Sequence, residues 1–480
     1  MIKENQFALK VFHSAAKNVP AYRNVLKNHG IDPAKIKTLD DFKTLPVINK
    51  KNYIYEHSLT DVFPDKIIPP MAYASSGSSG KPTFWFRGDE QEEMGGELHE
   101  VIFSKIFKIK KNEPTLVVIC FAMGVWVAGN YTMASCRHLF KKGYNITTIT
   151  PGVEKGDIFN ALKELAPRFK NLVLVGYPPF IMDVIHESFK KGIKFDNQNV
   201  KILTAGDKFS ESWRDSVLKL INKKDEPDSL VSIYGSADAG FLGHETPLSI
   251  FLRRESLKNK KLYKSLFGDA GILPGFVHYH PSYVFFEEIS GELVFTINTA
   301  VPLVRYNIHD TGKVISHEEI KEILKELNLE KEAQAHGLSD WNLPFTVIKG
   351  RSDVAVTFYA LNIFPEHILA GIQNKKVSKF LSGTFSAYNK TVNKNRTQKL
   401  YIKLELAKGV KMSHDVFRLV SRSVVENLIK LNIEYRKLYQ VIGTKALPTV
   451  SFTSFGDQSF ISHEIKGVLN IKGKKPRFIS

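Results

Sequence analysis

The stretch that decides the fold is Ser75-Ser76-Gly77-Ser78-Ser79-Gly80-Lys81-Pro82-Thr83. Glycines let a backbone approach a ligand closely, while serine hydroxyls and free N–H groups can surround phosphate oxygens. Lys81 adds a positive charge. The spacing is not that of a Walker A loop, because only two residues separate Gly77 from Gly80 and Pro82 stands at the Ser/Thr position. Taken alone, the stretch also fits a flexible Gly/Ser surface loop.

Around this stretch, from about residue 70 to 345, short apolar runs alternate with helical patterns. Runs expected to form buried strands are Leu116–Cys120, Ile146–Ile149, Leu172–Val175, Ile202–Thr204 and Leu230–Ile233. Helical patterns such as Ile158–Leu165 and Ser210–Ile221 lie between them. The alternation predicts an α/β fold whose large N-terminal domain is built on mainly parallel sheets.

The pattern changes after Arg351. Phe380–Tyr388 and Lys399–Leu406 resemble a pair of strands, and Val416–Leu431 resembles a helix. We therefore expect two domains, a large one over residues 1–350 and a small, mobile α+β domain over residues 351–480. The Lys- and Arg-rich residues 248–270 are expected to form a surface insertion.

The composition limits the class of protein. The chain has 480 residues, of which 43% are hydrophobic and 24% charged, as in soluble globular proteins. Its formal net charge of +18 favours anionic partners such as nucleotides, coenzyme A, an acidic carrier protein, nucleic acid or a membrane surface, but also fits a plain basic surface. The two cysteines, Cys120 and Cys136, make a disulfide framework or a structural zinc site improbable. With no signal-peptide core and no apolar run long enough to span a bilayer, we expect a cytoplasmic protein.

Further motifs follow the Gly/Ser stretch along the chain. They are Tyr234-Gly235-Ser236-Ala237-Asp238, Gly291-Glu292-Leu293-Val294-Phe295-Thr296, Arg305-Tyr306-Asn307-Ile308-His309-Asp310-Thr311-Gly312, Gly350-Arg351-Ser352-Asp353 with Asn362-Ile363-Phe364-Pro365, and Gly473-Lys474. In this order the series resembles the adenylate-forming superfamily. The phenylacetate–CoA ligase branch is suggested by Asn18-Val19-Pro20-Ala21-Tyr22-Arg23, by Gly129 in its apolar segment and by Asn362-Ile363-Phe364-Pro365.

The resemblance implies two half-reactions. A carboxylate attacks the α-phosphate of ATP to give acyl-AMP and pyrophosphate, and a second nucleophile, often the thiol of coenzyme A, then displaces AMP. Because an anion approaches a polyanion in the first step, cations must neutralise the developing charge. The implied cofactors are ATP, Mg²⁺ and coenzyme A.

Residue roles follow from the resemblance. Lys474 would bridge the carboxylate and the α-phosphate, although Lys472, Lys474, Lys475 and Arg477 would also fit a solvated basic tail. Arg305 and Arg351 would contact phosphate or ribose, and Asp353 would be the hinge of the small domain. The implied nucleotide-binding residues are Ser75, Ser76, Gly77, Ser78, Ser79, Gly80, Lys81, Gly206, Asp207, Lys208, Tyr234, Gly235, Asp310 and Arg351.

Within this set, Tyr234 would stack on adenine and Asp310 would bind the ribose hydroxyls. A core aromatic and a turn aspartate are their structural alternatives. Asp238 would be the magnesium ligand, as a hard oxygen donor. Candidates for a mostly apolar acid-binding pocket are Phe121, Trp126, Val127, Tyr177 and Ser236, although aromatic residues of this kind also occur in protein cores.

The chain departs from the family pattern at several positions. Ala237 stands where the family usually has Ser or Thr, and Asp238 where it has Glu. Tyr359 replaces a commonly basic residue, and Ala360 replaces a Gly of the turn along the thiol path. Coenzyme A is therefore less strongly implied than acyl-AMP.

The departures leave three functions open. The first is a ligase with coenzyme A as acceptor. The second passes the acyl group to a carrier-protein thiol, an amine or an alcohol. The third is a non-enzymatic nucleotide- or nucleic-acid-binding protein on a decayed ligase scaffold, although we expect no nucleic-acid partner because no recognition motif is visible. The sequence does not define the acid or the oligomeric state.

Overall fold

The computed structural model describes residues 2–74, 83–196, 198–206, 208–270, 273–351, 356–358, 361–363, 365–392, 397–457 and 468–471. The chain falls into two compact units. The large unit comprises residues 1–268 and 274–348, and the small unit comprises residues 269–273 and 349–480.

The described strands, in chain order, are β1 Met71–Ala74, β2 Phe84–Arg87, β3 Thr115–Cys120, β4 Ile146–Ile149, β5 Asn171–Gly176, β6 Asn199–Ala205, β7 Leu230–Ser236, β8 Gly240–His244, β9 Gly275–His278, β10 Val284–Ile289, β11 Glu292–Ile297, β12 Leu303–Ile315, β13 Phe345–Arg351, β14 Val356–Phe358, β15 Leu361–Ile363, β16 Leu381–Val392, β17 Thr397–Leu406, β18 Thr449–Thr453 and β19 Val468–Ile471.

The described α-helices are α1 Ile2–Asn18, α2 Pro20–Asn28, α3 Leu39–Lys43, α4 Asp89–Val101, α5 Val127–Lys141, α6 Lys155–Asn160, α7 Pro178–Lys190, α8 Glu211–Leu220, α9 Pro247–Ser256, α10 Lys260–Phe267, α11 His317–Glu326, α12 Glu330–Ala335, α13 Pro365–Ile372, α14 His414–Leu431 and α15 Ile433–Ile442. Short 3₁₀ and π-helical turns, including the π-helical turn Lys50–Ile54, connect or extend them.

An 11-stranded sheet organises the large unit, in the order β10-β11-β12-β13-β9-β8-β7-β6-β5-β3-β4. Strands β4, β3, β5, β6 and β7 are parallel neighbours, whereas β7, β8 and β9 pair antiparallel. Both β3 and β5 are buried along their whole length, which fits apolar runs covered by helices on two faces. The predicted α/β fold with a large N-terminal domain and a small α+β part is confirmed. The parallel part spans five strands, and antiparallel strands extend it into a mixed sheet.

The prediction for residues 248–270 was wrong. These residues form α9 and α10, whose apolar faces bury Leu248, Leu252, Leu262 and Leu266 against the large unit. The many basic side chains hid the apolar spacing in the sequence. One of the basic residues, Arg253, is itself buried and pairs with Glu211.

The small unit has a four-stranded sheet in the order β18-β17-β16-β19. Strands β16 and β17 pair antiparallel, and β17 and β18 pair parallel. Helices α13 and α14 pack closely at Gly371. A Cβ at this position would lie only 2.6 Å from the Cα of Val424 on α14, so the contact requires glycine. The hydroxyl of Ser423 also donates a 2.7 Å hydrogen bond to the Gly371 carbonyl.

Two further features bear on the predictions. Cys120 and Cys136 are free, buried thiols, and burial raises the pKa of both. Among the described helices, none combines the length and the apolar character that a membrane crossing requires.

Candidate functional site

The segments predicted to bind the acid and the nucleotide follow the carboxyl ends of neighbouring parallel strands. Phe121 follows β3, Tyr177 follows β5, Gly206 and Lys208 follow β6, and Tyr234 lies near the end of β7. These strands are adjacent in the sheet, in the order β3-β5-β6-β7. Parallel α/β sheets usually bind ligands at this edge. The topology therefore brings four sequence-distant segments to one edge.

Tyr234 and Asp310 come from two different motifs and meet through a hydrogen bond. The Tyr234 hydroxyl donates to Oδ2 of Asp310 over 2.7 Å. The ring of Tyr234 also stacks on Phe286, with 6.4 Å between the ring centroids. The contact brings together the residue predicted to stack on adenine and the residue predicted to bind the ribose. The hydrogen bond and the ring contact with Phe286 hold the Tyr234 side chain in place.

Strand β12 reaches this position through two irregularities. Arg305 has φ +48° and His309 has φ +66°, and the register with β11 shifts between Phe295 and Ile297 and again between Glu292 and Val294. Such bulges re-aim side chains, and positive φ at a non-glycine residue costs about 1–3 kcal/mol each. The surroundings must therefore hold β12 in this form.

One brace is Glu292 of the motif on β11. Its Oε2 accepts a 2.6 Å hydrogen bond from Asn307 Nδ2, and its Oε1 lies 3.5 Å from His309 Nδ1. A second constraint is Gly312, where a Cβ would lie 1.9 Å from the Val347 carbonyl oxygen. The close approach of β13 explains the glycine after Asp310.

Contacts within the turn between β7 and β8 stabilise it. A Cβ at Gly235 would lie 2.4 Å from the Gly240 carbonyl oxygen, so the hairpin closes only over a glycine. Ser236 Oγ accepts a 3.1 Å hydrogen bond from the Ala239 N–H. Ser236, a predicted substrate contact, therefore also stabilises the turn.

A buried arginine supports the same turn and was missed by sequence reasoning. Nη2 of Arg87 donates a 2.5 Å hydrogen bond to the Ala237 carbonyl, and Nη1 lies 3.5 Å from the Asp238 carbonyl. Gln91 adds a 3.0 Å hydrogen bond to the Ala239 carbonyl. Burial lowers the pKa of Arg87, while nearby Tyr131 and Asp238 oppose the shift. The only sequence signal for Arg87 was an arginine at the end of the apolar strand β2.

The carboxylate of Asp238 already has two partners. Oδ1 lies 3.2 Å from Lys50 Nζ, and Oδ2 accepts a 2.8 Å hydrogen bond from the hydroxyl of Tyr306. The residue is 5% exposed. The sequence did not indicate that Lys50 and Tyr306 contact Asp238. Lys50 belongs to no motif, and it lies far from residue 238 in the chain.

Arg305, predicted to contact phosphate or ribose, has its described partners within the protein. The side chain is 6% exposed, and its Nε and Nη2 each lie 3.0 Å from a carboxylate oxygen of Glu287. Its Nη1 binds the carbonyl oxygens of Lys43 and Leu45. Because these contacts use the guanidinium inside the protein, Arg305 fastens the segment 43–45 to β12. These contacts favour a positioning role for Arg305.

The candidates for the acid pocket differ in exposure. Phe121 and Tyr177 are buried, whereas Trp126 is 41% exposed and Val127 and Ser236 are half-buried. Trp126 precedes α5 and forms a bridge with Ala74, the last described residue before the Gly/Ser stretch. Trp126 is therefore the most exposed aromatic residue of this set.

Several predicted residues lie outside the described part of the chain. They are Ser75, Ser76, Gly77, Ser78, Ser79, Gly80, Lys81, Asp207, Asp353, Tyr359, Ala360 and Lys474. Arg351 ends β13, but its side chain is not described. Their roles remain predictions. On either side of the Gly/Ser stretch, Ala74 and Phe84 are cross-strand partners of β1 and β2.

Comparison with known proteins gives one sequence relative and several structural ones. No family model matches the chain. The chain is 23% identical over 311 residues to phenylacetate-coenzyme A ligase from Aromatoleum evansii. The match covers 63% of this chain and spans 63% of the length of that relative.

The solved structures support the fold. The chain resembles 2-hydroxyisobutyryl-CoA ligase in the postadenylation state in complex with 2-HIB-AMP, with a TM-score of 0.62 and 13% identity over 94% of this chain and 85% of that chain. It also resembles the acyl acid amido synthetase AtGH3.15 in complex with 2,4-DB, with a TM-score of 0.59 and 14% identity over 96% and 87% of the two chains. The chain thus has the fold of the adenylate-forming enzymes, and its resemblance to that superfamily, with a sequence match in the phenylacetate–CoA ligase branch, is confirmed.

Proposed function

We propose that this protein activates a carboxylic acid by joining it to AMP and then transfers the acyl group to the thiol of coenzyme A. The observation that carries the proposal is the contact of Tyr234 with Asp310, two motif residues brought together at the carboxyl edge of the sheet. The fold and the phenylacetate-coenzyme A ligase relative support the same reaction class.

In the first step a carboxylate oxygen attacks the α-phosphorus of ATP. The bond from that phosphorus to the bridging oxygen breaks, and pyrophosphate leaves. Tyr234 would contact the adenine, and Asp310 would hold the ribose hydroxyls. The residues Ser75–Lys81 and Lys474 would supply donors and positive charge to the phosphates. In the second step the thiol attacks the acyl carbonyl carbon, and AMP leaves.

The two domains have separate roles in this proposal. Residues 1–350 would bind ATP and the acid, and residues 351–480 would carry Lys474 and turn about Asp353 between the half-reactions. The acid would lie beside Trp126, Val127 and Ser236, at the carboxyl edge of the parallel strands. An apolar pocket with few polar groups suits an aromatic or medium-sized acid.

Pyrophosphate release over a panel of acids tests the first step. We expect release that depends on one class of acid and that Lys474→Ala abolishes. Lys472→Ala is the matched control, because it removes a neighbouring lysine of the same basic segment and should retain activity. Full activity of Lys474→Ala, or release from no acid in the panel, would contradict the proposal.

An amine acceptor is the second candidate, because an acyl acid amido synthetase shares the fold and Ala360 replaces a family glycine. Product analysis by mass spectrometry distinguishes the two. Protein, ATP and the active acid are incubated with coenzyme A or with a mixture of amino acids. Rapid formation of the acyl thioester supports coenzyme A, whereas an amide product in its absence favours the second function.

A further inference from the structure

Lys50 lies where the superfamily resemblance implies a metal ion. Its Nζ is 3.2 Å from Oδ1 of Asp238, and it lies 5.5 Å from the ring centroid of Trp85. The other oxygen of Asp238 accepts the hydrogen bond from Tyr306. Both oxygens of this carboxylate therefore face a donor that belongs to the protein itself.

The main chain fixes Lys50 in this position. Ile48 donates a 3.0 Å hydrogen bond to the Arg305 carbonyl and accepts one of 2.8 Å from the Asn307 N–H, so it pairs with β12 on both sides of Tyr306. Asn49 then caps the π-helical turn that begins at Lys50, through a reciprocal capping box with Asn52. The ammonium reaches Asp238 from a braced segment.

The surroundings of Asp238 do not fit a resident magnesium ion. Mg²⁺ requires near-octahedral oxygen ligands at about 2.0–2.1 Å, and carboxylates that bind it offer free lone pairs. Here an ammonium occupies that side of the carboxylate, and like charges repel strongly at such short distances in a half-buried site. In the part of the chain that the structure describes, no group of three or more His, Cys, Asp or Glu residues could hold a metal.

We propose that Lys50 replaces the metal ion at Asp238 and that its ammonium contacts the phosphates of ATP. This inference rests on the proposed adenylation activity. Magnesium then enters only with ATP, as part of the substrate. The Lys50 side chain is 33% exposed, so this residue reaches the protein surface. A lysine ammonium has three donors, and the pair with Asp238 leaves donors for phosphate oxygens.

Titration of nucleotides against three proteins tests the phosphate contact. Wild type, Lys50→Met and Lys51→Met are compared for binding of ATP and of adenosine, which lacks phosphates. Lys51 is the matched control, because it follows Lys50 directly and is exposed. We expect Lys50→Met to weaken ATP binding about tenfold, as the loss of one charge-assisted contact predicts, and to leave adenosine binding unchanged.

The outcomes separate the inference from the proposed function. Equal ATP affinity of Lys50→Met and Lys51→Met would overturn the inference. So would an equal loss of ATP and adenosine affinity in Lys50→Met, because that result describes a structural role. A wild-type protein that binds neither ATP nor adenosine would instead remove the proposed function itself.

Manganese binding, followed by electron paramagnetic resonance, tests the metal position without any turnover. We expect no Mn²⁺ site at Asp238 in the wild type. Asp238→Asn should therefore leave the binding of Mn²⁺ by the protein unchanged. Wild-type Mn²⁺ binding that Asp238→Asn abolishes would show that Asp238 is a metal ligand and would overturn the inference.

Discussion

The hydroxyl of Tyr234 donates a 2.7 Å hydrogen bond to Oδ2 of Asp310, although the two residues are 76 positions apart in the chain. The bond joins the end of β7 to the bulged part of β12. Because the carboxylate is already held by a neighbour from another motif, the Asp310 side chain would lose little further entropy on binding a ligand. In the proposed function, the pair would hold a nucleoside in one orientation.

The first prediction concerns this pair. Asp310→Asn should weaken ATP binding at least tenfold, because an amide cannot accept from two ribose hydroxyls as a carboxylate does. Tyr234→Phe should cause a smaller loss of about 1 kcal/mol, because it keeps the ring and removes one hydrogen bond. Isothermal titration with ATP measures both.

Two comparisons make this prediction specific. Tyr263→Phe, on α10 and outside the site, serves as the control and should leave the affinity unchanged. In the double variant Tyr234→Phe/Asp310→Asn, the effects should be less than additive, because the residues share one hydrogen bond. Additive losses would show that the two side chains act separately.

The second prediction concerns Arg305. Arg305→Lys should release the carbonyl oxygens of Lys43 and Leu45, because an ammonium cannot reproduce the planar fork of donors. The segment 43–50 should then exchange its amide hydrogens faster, including that of Ile48, which is bonded to the Arg305 carbonyl. Hydrogen exchange with mass spectrometry measures the change.

The matched control is Arg418→Lys, on the exposed face of α14, where the arginine pairs only with Asp415 in the described structure. It should leave exchange in the segment 43–50 unchanged. Unaltered exchange in Arg305→Lys would refute the positioning role. A rise in exchange over the entire large unit would indicate general destabilisation instead.

The third prediction concerns the buried ion network of Glu211. Its carboxylate binds Arg214 and Arg253, which also contact Glu245. Burial raises the pKa of Glu211, but Arg214, Arg253 and Arg254 outweigh it and lower the pKa to about 2. Glu211→Gln should lower the free energy of unfolding by about 3 kcal/mol, because it leaves two buried guanidinium groups with Glu245 as their one remaining carboxylate partner among the described contacts.

Urea unfolding at pH 7 measures this loss, with Glu255→Gln as control. Glu255 pairs with the exposed Lys258 on the surface, and its loss should cost less than about 1 kcal/mol. The ordinary pKa of a glutamate is 4.5, so the contribution of Glu211 is present above that pH and declines as the pH falls towards 2. Equal costs for the two variants would exclude a stabilising network.

The fourth prediction concerns the buried histidines near β8 and β9. Burial lowers the pKa of His244 to about 3, that of His280 to about 4 and that of His278 well below 6.5. His244 Nδ1 lies 2.8 Å from the Glu245 carbonyl and must donate to it, so its Nε2 accepts from His280 Nε2 at 3.0 Å. These rings are therefore held neutral.

The lowered pKa values determine the direction in which stability changes with pH. Above pH 6.5 these rings are neutral in both states, and below it the unfolded chain binds protons that the folded chain excludes. Stability should fall as the pH is lowered from 6.5 towards 4, by about 1.4 kcal/mol per pH unit for each such ring. Urea unfolding between pH 7 and 5 measures the slope.

A matched pair of variants assigns the slope. His280→Gln keeps a donor for His244. It should reduce the slope of the unfolding free energy against pH by about 1.4 kcal/mol per pH unit, which corresponds to one proton. His13→Gln removes an exposed ring on α1 and should not change the slope. A slope that is the same in His280→Gln and in the wild type would show that other groups cause the acid sensitivity.

Much of the fold followed from local patterns. The continuous apolar runs of β3, β5 and β6 identify buried parallel strands, because a strand covered on both faces has no polar alternation. The sequence pattern did not reveal helices α9 and α10, because their buried apolar positions lie among lysines and arginines. One of the latter, Arg253, is buried because Glu211 neutralises it, which no local pattern reveals.

The candidate site was predictable only in part. Tyr234, Asp310 and Asp238 belong to motifs, so the sequence indicates them, but it does not indicate which side chains they contact. The contact of Lys50 with Asp238 depends on how Ile48 pairs with β12, and the role of Arg305 depends on Glu287 and on the backbone of residues 43–45. Contacts over such separations are set by strand order and by bulges.

The sequence by itself determined the class of fold, the order of the motifs and the residue types that could surround a nucleotide, since all three are written in local spacing and composition. Only the tertiary structure decided which partners these residues have. Arg305 forms a buried ion pair with Glu287, and Lys50 forms an ion pair with Asp238. The physical reason is that charge acts over a few ångströms in space, and the sheet brings together residues that the chain keeps far apart.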